Sequence, residues 1–246
     1  MRVGYGTDAG RVRPINEDCL WADDKLLVLA DGMGGHQAGE VASRLAVESV
    51  VAHFQDHEAP ADREKSSVAM DLVRASVRAA NALVYSKSLQ APELKGMGTT
   101  LTVALLVNGE AVLGHVGDSR AYLVQPESIV QLTEDHSVVW ELMRSGSLSS
   151  QEAHVHPYRN MLTRALGTAM TVEVDTVRLR LKPTDGLLLC SDGLTGVLSD
   201  EEIHAIISSN SDPQAAVDAL IEQANARGAP DNVSAILALP EGDVRG

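Results

Sequence analysis

An unbroken apolar run, Leu26 to Ala30, carries the chain directly onto Asp31, Gly32, Met33, Gly34 and Gly35. Such a run followed by glycines reads as a buried strand that ends in a loop. A carboxylate at the end of a buried strand needs a partner, because an unpaired buried charge is costly. The glycines let the backbone come close to whatever stands there. The arrangement recurs where Leu187 to Cys190 run into Ser191, Asp192 and Gly193. Asp-Gly is a common turn pair, so either copy alone reads as an Asp-initiated turn. Two apolar strands that each deliver Asp-Gly, together with further Asp-bearing motifs, favour a shared cation.

Around these two strands the pattern alternates between hairpins and helix pairs. Residues 2 to 8 predict a first strand, and Cys19 to Trp21 lead through a turn at Ala22 to Lys25 into the Leu26 strand. Val47, Val50, Val51 and Phe54 mark one helix face, and Val73, Val77, Ala80 and Val84 mark a second helix over about Ser66 to Ser88. Thr99 to Val107 reads as a strand, Asn108-Gly109 as a tight hairpin, and Ala111 to Val116 as the return. A further hairpin joins Ala121 to Val124 with Ile129 to Leu132, and a short helix fits His136 to Arg144. Val172 to Leu181 alternates as a strand. Ser199 and Glu202 form a capping box, Asp212-Pro213 opens another helix, and Val233 to Leu239 is the last strand. Gly146 to Asn160 is polar and without period, the mark of a flap. Alternating βαβ units are absent, so the expected class is α+β, with antiparallel sheets covered by helices.

The 246 residues expect one domain over 1–246, with 44% hydrophobic residues supplying its core. A net charge of −14 argues against nucleic acid, which a basic face would bind. The N-terminal stretch lacks an apolar signal core, and no apolar run approaches a membrane span, so a soluble cytoplasmic protein is expected. Cys19 and Cys190 lack metal-ligand spacing and read as small buried hydrophobes.

The chemistry-bearing residues are acidic: Glu17-Asp18, Asp31, Asp118, Asp192 and Asp231. Oxygen-only donors favour hard cations such as Mg2+ or Mn2+. His154 and His156 flank Val155 in the flap, and as loop histidines they read as solvated side chains. Arg13 alone reads as a loop arginine paired with Glu17 or Asp18.

Six motifs in order, GRVRPINED, LADGMGGH, GMGTT, GDSRAY, CSDGLT and GAPDNVSAI, resemble the motif series of the protein phosphatase 2C family, in its bacterial form. The resemblance spans about Tyr5 to Leu239. It implies a four-layer α-β-β-α sandwich, two antiparallel sheets flanked by helices. It also implies a protein serine/threonine phosphatase with two tight Mn2+ or Mg2+ ions and a third, weaker one. In this implied scheme Asp31 bridges the tight pair, the Gly32 carbonyl binds one ion, and Asp192 and Asp231 hold the other. Glu17 and Asp18 stand near the pair through bound water. Arg13 holds the substrate phosphate, and Asp118 shares the third ion with Asp192. A hydroxide from water between the ions attacks phosphorus in line, without a covalent enzyme intermediate.

Some relatives carry His directly after Asp-Gly as the acid for the leaving group. Met33 stands there in this chain and cannot donate a proton. His36 follows three residues later, where it could orient a ligand or cap a helix. The implied partners are phosphorylated proteins, including a serine/threonine kinase and its substrates, acted on by a monomer away from nucleic acid and membrane. Two other readings stay open: a non-catalytic phosphoprotein-binding regulatory domain, which predicts missing ligands, and a phosphatase of small phosphorylated metabolites.

Overall fold

A computed structural model describes residues 1–34, 38–56, 66–154 and 156–241, with the side chains of residues 66, 67, 150 and 154 left aside. In chain order the elements are β1 (Arg2–Asp8), β2 (Asp18–Ala22), β3 (Leu26–Met33), α1 (Ala38–Asp56), α2 (Ser66–Ser88), β4 (Gly98–Thr99), β5 (Leu101–Val107), β6 (Glu110–Val116), β7 (Arg120–Gln125), β8 (Ser128–Gln131), α3 (Val138–Arg144), α4 (Ser150–His154), β9 (Asp175–Arg180), β10 (Gly186–Cys190), α5 (Asp192–Thr195), α6 (Asp200–Ser208), α7 (Pro213–Ala226) and β11 (Val233–Leu239).

The strands form two antiparallel sheets. One has the order β1-β11-β10-β7-β8, and the other β2-β3-β5-β6-β9, with β4 also paired to β3. Leu27, Leu29, Ala104 and Leu113 of the second sheet meet Leu187, Leu189 and Ile236 of the first in a core between the sheets. On the outer face of the second sheet, Val28 and Val103 pack against Val47 and Val50 of α1 and Val73 and Val77 of α2. On the outer face of the first, Leu188 and Leu237 pack against Ile203 of α6 and Val217 and Leu220 of α7. The result is the expected α-β-β-α sandwich.

This layering explains the unbroken apolar strand. Leu27 and Leu29 point into the inter-sheet core, while Leu26, Val28 and Ala30 point into the helix-covered core. Successive side chains of a strand face opposite sides, so a strand covered on both sides is apolar at every position. Each fully buried Leu or Val contributes about 1.5–3 kcal/mol.

Several element ends differ from the sequence expectation. β3 runs past Ala30 to Met33, because Gly32 and Met33 pair with Thr99 and Gly98 of β4. The expected Thr99 strand is divided at Thr100, whose N–H donates to the Asp31 carbonyl (2.8 Å) and whose hydroxyl accepts from the Asp31 N–H (2.9 Å). The expected Val172 strand begins only at Asp175, opposite His115, because β6 turns away just beyond Val116 at Gly117 (φ +116°). The expected His136 helix starts at Val138, with Ser137 as its cap. Residues 146–160 include a helical turn, α4, because Ser149 and Glu152 cap it mutually: Ser149 N–H donates to Glu152 Oε2 (2.9 Å), and Glu152 N–H to Ser149 Oγ (3.3 Å). The Asn108-Gly109 turn has φ of +54° and +74°, as a two-residue hairpin requires. Among the described residues, no helix is long and apolar enough to cross a membrane.

Candidate active site

The sandwich brings the acidic residues to one end. Asp18 on β2 lies opposite Asp31 on β3 in the antiparallel register. Asp192 opens α5 directly after β10, Asp231 precedes β11, and Asp118 sits in the turn from β6 to β7. The charges acting on Asp31 come from Asp18, Asp192, Asp118 and Asp231.

Backbone contacts fix this geometry tightly. Gly32 N–H donates to the Glu17 carbonyl (3.1 Å), which also accepts from Ser43 of α1 (2.6 Å). A Cβ on Gly32 would collide with the carbonyls of Gly39 and Glu17. The glycine here therefore serves close approach between β3 and the first turn of α1. The Thr100 hydroxyl, which holds Asp31 N–H, is also 2.8 Å from Ser119 Oγ. Asn232 ties three segments together: its Oδ1 accepts from Glu17 N–H (2.8 Å), and its Nδ2 donates to the carbonyls of Ala9 and Ile15 (3.0 Å each). Asn232, Ser43 and Thr100 had no role in the sequence reading. Asn232 and Thr100 lie inside quoted motifs, whereas Ser43 carries no local signal.

Ionisation of so many clustered carboxyls is resisted. Burial, then the charges of Asp18 and Asp192, holds the Asp31 carboxyl well above the carboxylate range. Burial pushes Asp18 up to about 7, against the stabilising bonds from Ser234 and Ser191. Burial and the Asp231 charge push Asp192 up to about 6, while Asp118 is held well above the usual range by burial and Asp192. Glu17 is also raised by burial, with Arg13 opposing. Like charges at close range disfavour ionisation unless a cation offsets them.

Arg13 is a cation paired directly with one of them. Its Nη2 lies 2.7 Å from Asp231 Oδ2, so its partner is neither Glu17 nor Asp18, as the local reading had it. The side chain remains 46% exposed and presents further N–H donors to solvent. This guanidinium and that of Arg120, which acts on Asp118 and Asp192 while forked onto Asp135, do not neutralise six acidic side chains. Glu17 Oε1 and Asp18 Oδ1 are buried without a hydrogen-bond partner. Orphaned buried oxygens in an all-oxygen donor set fit hard divalent cations. Among the described residues no three His, Cys, Asp or Glu side chains stand as a ready-made cage. Mg2+-like ions tolerate this, because they keep several waters and take only one or two carboxylates each.

Met33 lines a cavity of about 490 Å³ together with Tyr158, Met161, Thr163 and Arg164. The pocket joins the end of β3 to the expected flap. His156 accepts from Tyr158 N–H at its Nδ1 (3.2 Å) and packs edge-on against that ring, away from the carboxylates in its bonding. His36, Val155 and the side chain of His154 lie outside the described residues.

The family description "Protein phosphatase 2C" matches residues 16–238. The serine/threonine phosphatase stp of Listeria welshimeri is 38% identical over 242 residues, covering 96% of this chain and 95% of that protein. The crystal structure of the Mycobacterium tuberculosis serine/threonine phosphatase PstP/Ppp superposes with a TM-score of 0.89 at 38% identity, covering 98% and 99% of the two chains. A structure of the PstP catalytic domain in complex with two manganese ions has a TM-score of 0.87 at 37% identity, covering 98% of each chain.

Proposed function

The chain belongs to the protein phosphatase 2C family, and on that premise we propose that it is a metal-dependent protein serine/threonine phosphatase. The observation that carries the reading is the convergence of Asp18, Asp31, Asp118, Asp192 and Asp231, with buried orphaned oxygens and one exposed arginine beside them.

Asp31, the Gly32 carbonyl, Asp192 and Asp231 would hold two divalent cations. Glu17 and Asp18 would support them through water, and Asp118 with Asp192 would hold a third, weaker one. Two divalent cations held there would make hydroxide available from a shared water near neutral pH and neutralise phosphate charge that would otherwise repel it. Mn2+ and Mg2+ both suit these donors.

Arg13 supplies a fork of N–H donors matched to two phosphate oxygens. Its bond to Asp231 holds the fork at the rim of the acidic cluster. Thr100 and Asn232 hold Asp31 and Glu17 by their main chains, so the carboxylates need little reorganisation on binding. Met33 offers no proton to the departing serine or threonine oxygen, so the acid is another group, and a water at the site would serve.

The substrates are phosphoserine and phosphothreonine in proteins, among them a serine/threonine kinase and its targets, met by a monomer in the cytoplasm. A phosphoprotein-binding domain without catalysis would lack metal ligands, and none of the expected aspartates is missing. A small-metabolite phosphatase is separated by comparing turnover of phosphopeptides and phosphorylated metabolites. The decisive experiment is hydrolysis of an aryl phosphate and a phosphopeptide with Mn2+, with Mg2+ and after chelation. Activity in both metals that chelator abolishes is expected; full activity of metal-free protein would overturn the assignment.

A further inference from the structure

Two consecutive residues grip the turn that carries Asp118 from both sides. Before Asp118, Gly117 adopts a φ of +116°, and a Cβ there would press into the Thr100 side chain. Its N–H donates to His136 Nδ1 (3.0 Å). Its carbonyl accepts from the His136 N–H (2.8 Å) and faces His115 Nε2 (3.0 Å). After Asp118, Arg120 Nε lies 3.0 Å from both oxygens of Asp135, and its Nη2 donates to Asp135 Oδ2 at 2.7 Å. Asp135 is 8% exposed and His136 7%. Because His136 Nδ1 accepts a main-chain N–H, the ring proton sits on Nε2, facing Asp175 Oδ2 at 3.1 Å.

We propose that Asp135 and His136 are positioning residues that clamp the Gly117–Arg120 turn and hold the Asp118 carboxylate beside Asp192, where the weaker cation would bind. The inference rests on the third-cation reading of Asp118. Its physical ground is repulsion: Asp192 is the strongest charge acting on Asp118, and it pushes the carboxylate away from the position in which both would share an ion. A turn held only by its flanking strands would yield to that push. A glycine bonded through both N–H and carbonyl, and an arginine forked onto a buried carboxylate, resist it. The clamp itself touches neither substrate nor the tight cations, so its loss acts through the turn it holds: first on Asp118, and more distantly on Asp31 through the Ser119–Thr100 bond.

Two substitutions separate the halves of the His136 contact. In His136→Asn the amide oxygen replaces Nδ1 and keeps an acceptor for Gly117, while the Asp175 bond is lost. In His136→Gln the amide reaches toward Asp175, and the Gly117 acceptor is lost. His136→Gln and Asp118→Asn should each lower turnover of a phosphopeptide in Mn2+ about tenfold, the usual scale for residues that orient a ligand. The double variant should lose no more than either alone, since residues acting through one another are not additive. His136→Asn should stay within about threefold of the parent. Calorimetric Mn2+ titration should show the weak binding phase weakened in His136→Gln and the tight phase kept. If Asp118→Asn leaves both turnover and the weak phase intact, the third-cation reading itself falls. If Asp118→Asn acts but His136→Gln does not, if the two effects add, or if His136→Asn is as impaired as His136→Gln, the clamp is refuted. Ring 15N spectra of the unmodified protein in Mg2+ test the clamp even if the variants do not fold. A neutral His136 with its proton on Nε2 is expected, and a proton on Nδ1 would overturn the proposal.

Discussion

Asp18 and Asp31 face each other across β2 and β3 as register partners, two carboxyls at the buried end of one hairpin. Asp18 is fixed by Ser234 Oγ, which donates to its Oδ2 at 2.6 Å, while its Oδ1 has no partner. Such a pair is stable only when protonated in part or when a cation lies near it.

Replacing Asp31 or Asp192 by Asn keeps size and removes one charge from the cation positions. Turnover of an aryl phosphate in Mn2+ should fall at least about a hundredfold, the scale of losing a principal electrostatic contributor. Calorimetry should show weaker Mn2+ binding in both variants. Tight binding with undiminished turnover would remove these residues from the site.

The raised carboxyls give the metal-free protein a definite pH response. A carboxyl whose pKa is higher in the fold binds more protons folded than unfolded, so it stabilises at low pH and loses that effect as pH rises through its folded pKa. With Asp18 at about 7, Asp192 at about 6, and Asp31 and Asp118 also raised, metal-free protein should melt at higher temperature at pH 6.5 than at pH 8.5. Below about pH 6.5 buried His115, depressed to about 3, opposes this, because the unfolded chain gains a proton there. Saturating Mg2+ should flatten the upper part of the profile. A flat metal-free profile above pH 6.5 would count against carboxylate crowding.

Arg13→Ala should raise KM for phosphopeptide and lower kcat/KM while leaving the melting temperature almost unchanged. An ion pair this exposed contributes about 1 kcal/mol or less to stability. Arg13→Lys should recover only part of the loss, because an ammonium lacks the planar fork. Kinetics equal to the parent at low and saturating phosphopeptide would leave Arg13 with Asp231 alone.

Asn232→Ala removes bonds to Glu17, Ala9 and Ile15 at a position 3% exposed. Leaving those buried groups unpaired should cost about 1–3 kcal/mol in denaturant unfolding. Because Glu17 loses its anchor, Mn2+ affinity should fall as well. A stability loss with Mn2+ binding unaltered would restrict Asn232 to the fold.

Residues 146–160 lead into the Met33 cavity through Pro157, Tyr158 and Asn160. Shortening the segment between Gly146 and Asn160 should change preference among phosphopeptides more than turnover of an aryl phosphate, which is too small to reach past the carboxylates. Equal effects on both substrates would remove the segment from substrate selection.

The layering and most elements were legible because both periods are strong here. β3 is apolar without a break from Leu26 to Ala30 and β10 from Leu187 to Cys190, α2 carries Val73, Val77, Ala80 and Val84 on one face, and the Asn108-Gly109 turn and Ser199-Glu202 box are local signals. The acidic residues were legible as motifs. What escaped depends on distant partners. No local rule tells that Arg13 reaches Asp231, 218 residues away, or that Ser43 caps the Glu17 carbonyl. The α4 turn was missed although Ser149 and Glu152 have capping-box spacing, since the polar composition around them masks the pattern. The extension of β3 past Asp31 depends on β4, a two-residue strand too short to read by period.

The acidic end of the molecule draws on both sheets. Asp18 and Asp31 belong to the sheet built on β2 and β3, Asp192 and Asp231 flank strands of the other, and the turn with Asp118 crosses between them. Cations shared across that seam would act as rivets between two plates that otherwise meet only through side-chain packing and scattered polar bonds. Slippage of one sheet past the other would then spoil the site long before either sheet frays, and amide exchange along the seam would quicken on chelation while the outer helices stayed protected.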